Sequence, residues 1–281
     1  MNCKRILTLC FVLLCTMLAR ANAQPPAADR IFWLAADTNL TTDAGTVTAW
    51  GDAGTGQAWV DQVVGAPQLA MEAFPTGPRS VIRFDGDDGF DLQLDALARI
   101  KPISIYAVAS IDTGLQGAIL VANYRDVSGF GLGISDSASQ RIKWFTAPPG
   151  DFLDDGSAAF AESVLTVDVP YVLTATQDSA DNKTLGVWSE AVQASNSGVG
   201  TFDGNIASDT QFTLGKLDNG RQWWRGDIAE VLIYNSVSPD QDAAVQAYLG
   251  NKYLVPEPGS AVLAVLAILS WVGFMRRRPT A

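Results

Sequence analysis

Ile103, Ile105, Ala107, Ala109 and Ile111 occupy every second position of ISIYAVASI, the spacing that places them on one face of a β-strand. Short apolar runs recur along the chain: VIRF from 81, GAILVAN from 117, GFGLGI from 129, RIKWF from 141 and PYVLTATQ from 170. TLGVWSE from 184, QFTLGK from 211 and DIAEVLIYN from 227 complete the series, with Gly, Asp, Asn and Pro between runs. Strands of this length and spacing predict an all-β fold, a sandwich or barrel. No strand–helix alternation appears, which argues against a doubly wound sheet.

One stretch departs from that pattern. SPDQDAAVQAYLGNKY, from 238, predicts a single short helix: Ser238 as N-cap, Pro239 at the first helical position, Asp240 in the first turn and Gln241 completing a capping box. Gly250 is the expected stop residue. Ala244, Val245, Tyr248 and Leu249 form an apolar stripe, narrow but sufficient to dock the helix on a sheet.

Both ends of the chain carry a different signature. Lys4 and Arg5 precede an apolar run from Ile6 to Leu18, and ARANA then offers small residues at Ala21 and Ala23, so residues 1–23 read as a cleaved export signal. At the other end Val255-Pro256-Glu257-Pro258 leads into a run from Ser260 to Met275 in which every residue is apolar or small, followed by Arg276, Arg277 and Arg278. With Pro258 and Gly259 that run approaches the lower limit for a membrane-spanning helix. The arginines would hold its end in the cytoplasm and leave the globular part outside. Pro256 and Pro258 keep the chain extended just outside the bilayer. A domain at 24–254 is thus expected between a signal at 1–23 and a tail at 255–281.

Composition narrows the chemistry. Six of the 19 Lys and Arg residues are Lys4, Arg5, Arg20 and Arg276 to Arg278, so the stretch between these two basic ends, Glu257 included, sets 13 against 30 Asp and Glu, a net charge of −17. A surface of that sign disfavours nucleic acid and anionic lipid. Cys3, Cys10 and Cys15 all fall in the signal, and the chain has no His. The mature protein therefore lacks disulfides, thiolate or imidazole metal sites, and Ser-His-Asp or Cys-His nucleophiles.

These motifs carry two resemblances. Val255-Pro256-Glu257-Pro258, the short hydrophobic helix and the terminal arginines resemble the PEP-CTERM sorting signal of Gram-negative bacteria. The likeness implies transient anchoring in the inner membrane, recognition by an exosortase after signal peptidase has acted, removal of the tail, and delivery to the cell surface or its matrix. IFWLAAD at 31, VTAWGDAGTGQAW at 47, VIRFDGDDGFDL at 81 and GDIAEVLIYNSVSPDQDAAVQAYLGNKY at 226 resemble, in that order, laminin-G-like, concanavalin-A-like jelly-roll domains of bacterial surface proteins. That resemblance implies an antiparallel two-sheet sandwich that binds glycan or protein, with calcium at the rim in some members. The loop Gly51-Asp52-Ala53-Gly54 departs from the polar turn the family has there.

The same fold hosts glycoside hydrolases, whose retaining members need two carboxyls about 5 Å apart. The Glu-x-Asp-x-x-Glu strand of laminarinase-type enzymes is missing, and Glu72, Glu162, Glu190, Glu230 and Glu257 are unpaired in sequence, so the chain is expected not to be an enzyme. Glu230 reads as a solvated strand residue. No cofactor is required, and calcium is the one ion the sequence proposes: Asp85, Asp87, Asp88 and Asp91 crowd one Gly-rich turn, where a hard cation or solvent must offset their repulsion. Trp223 and Trp224 point to opposite faces if extended, so one of them is a candidate platform for a sugar ring. Trp33, Trp50, Trp144 and Trp188 are expected in the core. The functional expectation is a surface or matrix module that binds extracellular polysaccharide; a structural adhesin contacting other proteins is the second reading and a glycoside hydrolase the third.

Overall fold

A computed structural model describes residues 24–55, 60–92, 102–112, 117–125, 128–134, 141–147, 159–190, 193–199, 212–217 and 222–255. The export signal, the sorting motif from Pro256 onward, the apolar run at 260–275 and Arg276–Arg278 lie outside the described residues.

All strand pairings among the described residues are antiparallel, and they build two sheets. The larger runs in the order β15 (Gln193–Val199), β14 (Asn182–Trp188), β13 (Tyr171–Gln177), β8 (Ile103–Ala109), β17 (Arg225–Tyr234), β6 (Gly77–Asp85), β5 (Gln68–Phe74), β3 (Thr46–Trp50) and β2 (Leu40–Asp43). β1 (Arg30–Ala35) pairs with the C-terminal half of β17. The smaller sheet runs β12 (Ala159–Val164), β11 (Arg141–Ala147), β10 (Ser128–Ile134), β9 (Ile119–Arg125), β16 (Phe212–Leu214), β7 (Gly89–Leu92) and β4 (Val60–Val64). The fold is a two-sheet antiparallel sandwich with one short helix, as the alternating pattern predicts.

Aromatic side chains from both sheets interdigitate between them. Phe32 of β1 meets Phe212 of β16 edge-on at 5.8 Å, and Trp50 of β3 meets Phe90 of β7 at 5.8 Å. Ile103, Ile105, Ala107, Ala109 and Ile111 all enter this core. Their alternates Tyr106 and Val108 are buried too, because a second apolar cluster covers the outer face of the larger sheet. That cover is α1 (Pro239–Leu249), which sets Val245, Tyr248 and Leu249 against Tyr106, Val108 and Leu232.

The helix ends differ from the sequence expectation. Ser238 is the N-cap, with extended backbone (φ −137°, ψ 129°), but its side chain makes no capping bond, and Gln241 Oε1 instead accepts from Ser236 Oγ. Gly250 does not stop the helix. It keeps helical angles (φ −58°, ψ −47°), and the chain continues as a π-helical turn, Gly250–Leu254, closed by Val255 N–H donating to Gly250 O at 2.8 Å. The wider turn carries Lys252 and Tyr253 back to the sheet, onto Glu230.

Candidate functional site

A cavity of about 790 Å³ runs between one flank of α1 and its π-turn and the sheet formed by β13, β14 and β15. Its origin lies in the helix sequence. Ala243, Gln246, Ala247 and Gly250 recur at the spacing that places them along one flank of a helix. Three of the four are too small to fill the space above the sheet, while the larger Val245, Tyr248 and Leu249 anchor the neighbouring flank. A groove is left where the helix does not reach.

Trp188, at the end of β14, forms part of the groove lining. Its indole lies over Gly186, two residues earlier on the same face of the strand: a Cβ at 186 would sit 2.2 Å from the ring. Only glycine lets the ring lie so close to the backbone, and the partly exposed indole borders the cavity. Gln193, Gln246, Asn251 and Glu190 line the same cavity. A tryptophan bordering a cavity that amide- and carboxylate-bearing residues also line suits a sugar: apolar C–H faces stack on an indole and hydroxyls hydrogen-bond to such groups. The sequence expectation placed Trp188 in the core. The Gly-x-Trp spacing in LGVW was the signal that could have marked it, since a glycine and a tryptophan two apart share a strand face.

The predicted tryptophan pair divides as alternation requires. Trp224 is fully buried in the inter-sheet core, so it offers no surface to a ligand and is corrected to a packing residue. Trp223 is partly exposed but lines neither cavity among the described residues.

The acidic turn is also split. Carboxylate oxygens of Asp85, Asp87 and Asp88 lie within 4.8 Å of one another. Asp91 does not join them: it is buried and ion-paired with the buried Lys216, which removes it from the predicted set. Asp88 is buried as well, and accepts from Ala66 N–H and from Asp85 N–H at 2.9 Å, tying the turn before β5 to the turn after β6. Gly65 (φ 73°) makes room for it, since a Cβ there would lie 2.3 Å from Asp88 Oδ1. Hydrogen bonding, above all with Asp87, holds the Asp85 carboxyl below the usual range, while the same contact raises Asp87. Burial raises Asp88.

A second cavity, of about 420 Å³, opens where β6, β8 and β17 end. Each of its two arginines is held by carboxylates. Arg83 grips Asp227 with two bonds of 2.8 Å and reaches Glu72 at 3.0 Å, and Arg225 pairs with Asp112 at 3.0 Å. The Asp227 carboxylate raises the Arg83 guanidinium above its ordinary value.

Glu230 is corrected from a solvated strand residue to the most enclosed carboxylate of the sheet. It has no exposure and accepts from Trp33 Nε1 (2.6 Å), Tyr248 OH (2.8 Å), Tyr253 OH (2.7 Å) and Lys252 Nζ (2.9 Å).

The amino-acid sequence matches no protein-family model and no curated protein sequence. Solved structures do share the architecture. Domain 4 of a GH43 extracellular arabinanase from Geobacillus stearothermophilus, in complex with arabinotriose, is 13% identical with a TM-score of 0.51, covering 77% of this chain and 98% of that one. An arabinofuranosidase complexed with arabinofuranosyl-α-1,2-xylobiose is 13% identical with a TM-score of 0.52, covering 75% of this chain and 52% of that one. A Trypanosoma rangeli sialidase is 15% identical with a TM-score of 0.50, covering 81% of this chain and 33% of that one. What these structures share with this chain is the two-sheet β-sandwich. The expectation that the chain is not an enzyme is thereby overturned: the architecture occurs within glycoside-cleaving proteins, so the fold leaves enzymatic activity open.

Proposed function

We propose that this chain is an exported protein of the cell surface or extracellular matrix that binds extracellular polysaccharide in the groove beside α1. Trp188, laid on Gly186 and bordering the cavity, is the observation that carries the reading. Saccharide-handling chains of the same architecture support it. The address labels come from sequence: the signal at 1–23, then Val255 to Pro258 with the apolar run and arginines, which supply the substrate features of signal peptidase and exosortase.

A glycan array probed with the chain and with Trp188→Ala tests the groove. Binding should fall at least about 10-fold in the variant at a temperature where its melting curve shows it folded, since each stacked ring is a sizeable part of the contact. Undiminished binding would move the site elsewhere. For the tail, replacing Pro256 and Pro258 by Ala should leave the membrane-held form at its uncut mass. Leu69 (40% exposed) and Met71 (62% exposed) on β5 favour the second reading, an adhesin that contacts protein; a chain that binds no glycan but captures a surface protein through β5 would establish it.

A further inference from the structure

The groove beside α1 has a one-sided charge pattern. Among the described residues that line it, Glu190 is the one ionisable group, and neither lysine nor arginine takes part. The nearest cation of the π-turn is committed elsewhere: Lys252 Nζ sits 2.9 Å from Glu230 and 3.1 Å from Asp37. Asp240 and Asp242 add negative charge at the start of the same helix, and the chain between its two basic ends carries −17. A glycan with carboxylate or sulfate groups would set its charge against Glu190 with nothing in the groove to neutralise it.

Resting on the groove reading above, we propose that the ligand is a polysaccharide whose sugars carry free amino groups, and that Glu190 is the residue that selects it. A sugar ring with a protonated amine presents two complementary features at once. Its C–H face stacks on the Trp188 indole, and its ammonium group meets the Glu190 carboxylate, both of which border the same cavity. An N-acetylated sugar keeps the stacking and loses the ion pair. A uronate keeps the stacking and meets repulsion.

Isothermal titration of the full chain, held in a detergent without sugar groups, separates these cases with three probes: a β-1,4-glucosamine oligomer, its N-acetylated counterpart and an oligouronate. The glucosamine oligomer should bind about 5-fold more tightly than the N-acetylated one at low ionic strength, with the gap narrowing as salt is added, and the uronate should give no heat. Glu190→Gln should erase the gap by lowering the glucosamine affinity to that of the N-acetylated oligomer, whereas Trp188→Ala should weaken both. Equal affinities, or a gap that survives Glu190→Gln, overturn the selectivity while leaving the groove intact. Absence of binding to any probe, or binding indifferent to Trp188→Ala, overturns the groove itself. Glucosamine binding that survives both substitutions marks diffuse attraction to the acidic surface and also overturns the proposal.

Discussion

The phenol of Tyr253 donates to the carboxylate of Glu230 at 2.7 Å, joining the π-helical turn that follows α1 to the middle of the larger sheet. Tyr248 reaches the other oxygen of the same carboxylate at 2.8 Å. In a regular α-helix residues five apart diverge by more than a quarter turn; the π-helical turn after Leu249 is what lets both phenols converge. Burial first, and then the charge of Glu230, keeps both phenols protonated well above the ordinary tyrosine range.

That convergence makes Glu230 the clamp between α1 and the sheet. Glu230→Gln leaves the shape but removes the charge that Lys252, Tyr248, Tyr253 and Trp33 donate to, and breaking a buried pair from one side costs about 3 kcal/mol. Urea unfolding should show that loss in the midpoint at constant slope. Adding Lys252→Met to Glu230→Gln should cost less than the sum of the two single changes; strict additivity would mean that the pair does not act as a unit.

The two adjacent tryptophans should behave as opposites. Trp224 is fully buried, so Trp224→Ala should cost about 3–5 kcal/mol and lower the yield of folded protein. Trp223→Ala, at a partly exposed position, should cost about 1 kcal/mol or less. Thermal melting of the two variants side by side decides this, and equal losses would contradict the burial pattern.

Lys183 supplies a pH dependence. It lies with Leu185 and Val187 on the inner side of β14, has no exposure, and is pushed down by burial from 10.5 to about 8, against the opposing pull of Asp181. The folded chain therefore gives up this proton sooner than the unfolded chain. Between pH 8 and 10.5 unfolding takes a proton up, and this group makes stability rise with pH there. A shift of that size corresponds to about 3 kcal/mol at neutral pH, so Lys183→Met should raise the melting temperature at pH 7 by about 6 °C or more and flatten its rise between pH 8 and 9.5. A variant that melts lower at pH 7 with the slope unchanged would refute this.

Calcium should have little effect on the acidic turn. Asp91 is neutralised by Lys216 and both Asp88 oxygens are engaged by backbone N–H groups, which leaves Asp85 and Asp87 as the carboxylates facing solvent, far short of the six to eight oxygens calcium takes. Millimolar calcium should move the melting temperature by less than about 2 °C. A rise of several degrees, abolished by Asp87→Asn, would put the ion back.

Sequence alone determined the class of fold, because a strand with one face in a core must alternate: Ile103 to Ala109 and the runs from 81, 117, 129, 141, 170, 184, 211 and 227 all became strands. The helix at 239–249 was legible for the same reason, through its own period and its Pro239 start. β5 and β15 were not legible, since QLAMEAF and QASNSGV are largely exposed and owe their conformation to hydrogen bonds with neighbouring strands. Tertiary structure alone decided the fates of the polar groups. Glu230, Asp91 and Lys183 carry charges that a linear pattern assigns to solvent, and each lies buried, the first two against cations contributed by distant parts of the chain. The groove is of the same kind. Trp188 became a candidate sugar platform because a helix some fifty residues later in the chain lies across the sheet and presents alanines there, and no local pattern records what an element elsewhere leaves uncovered.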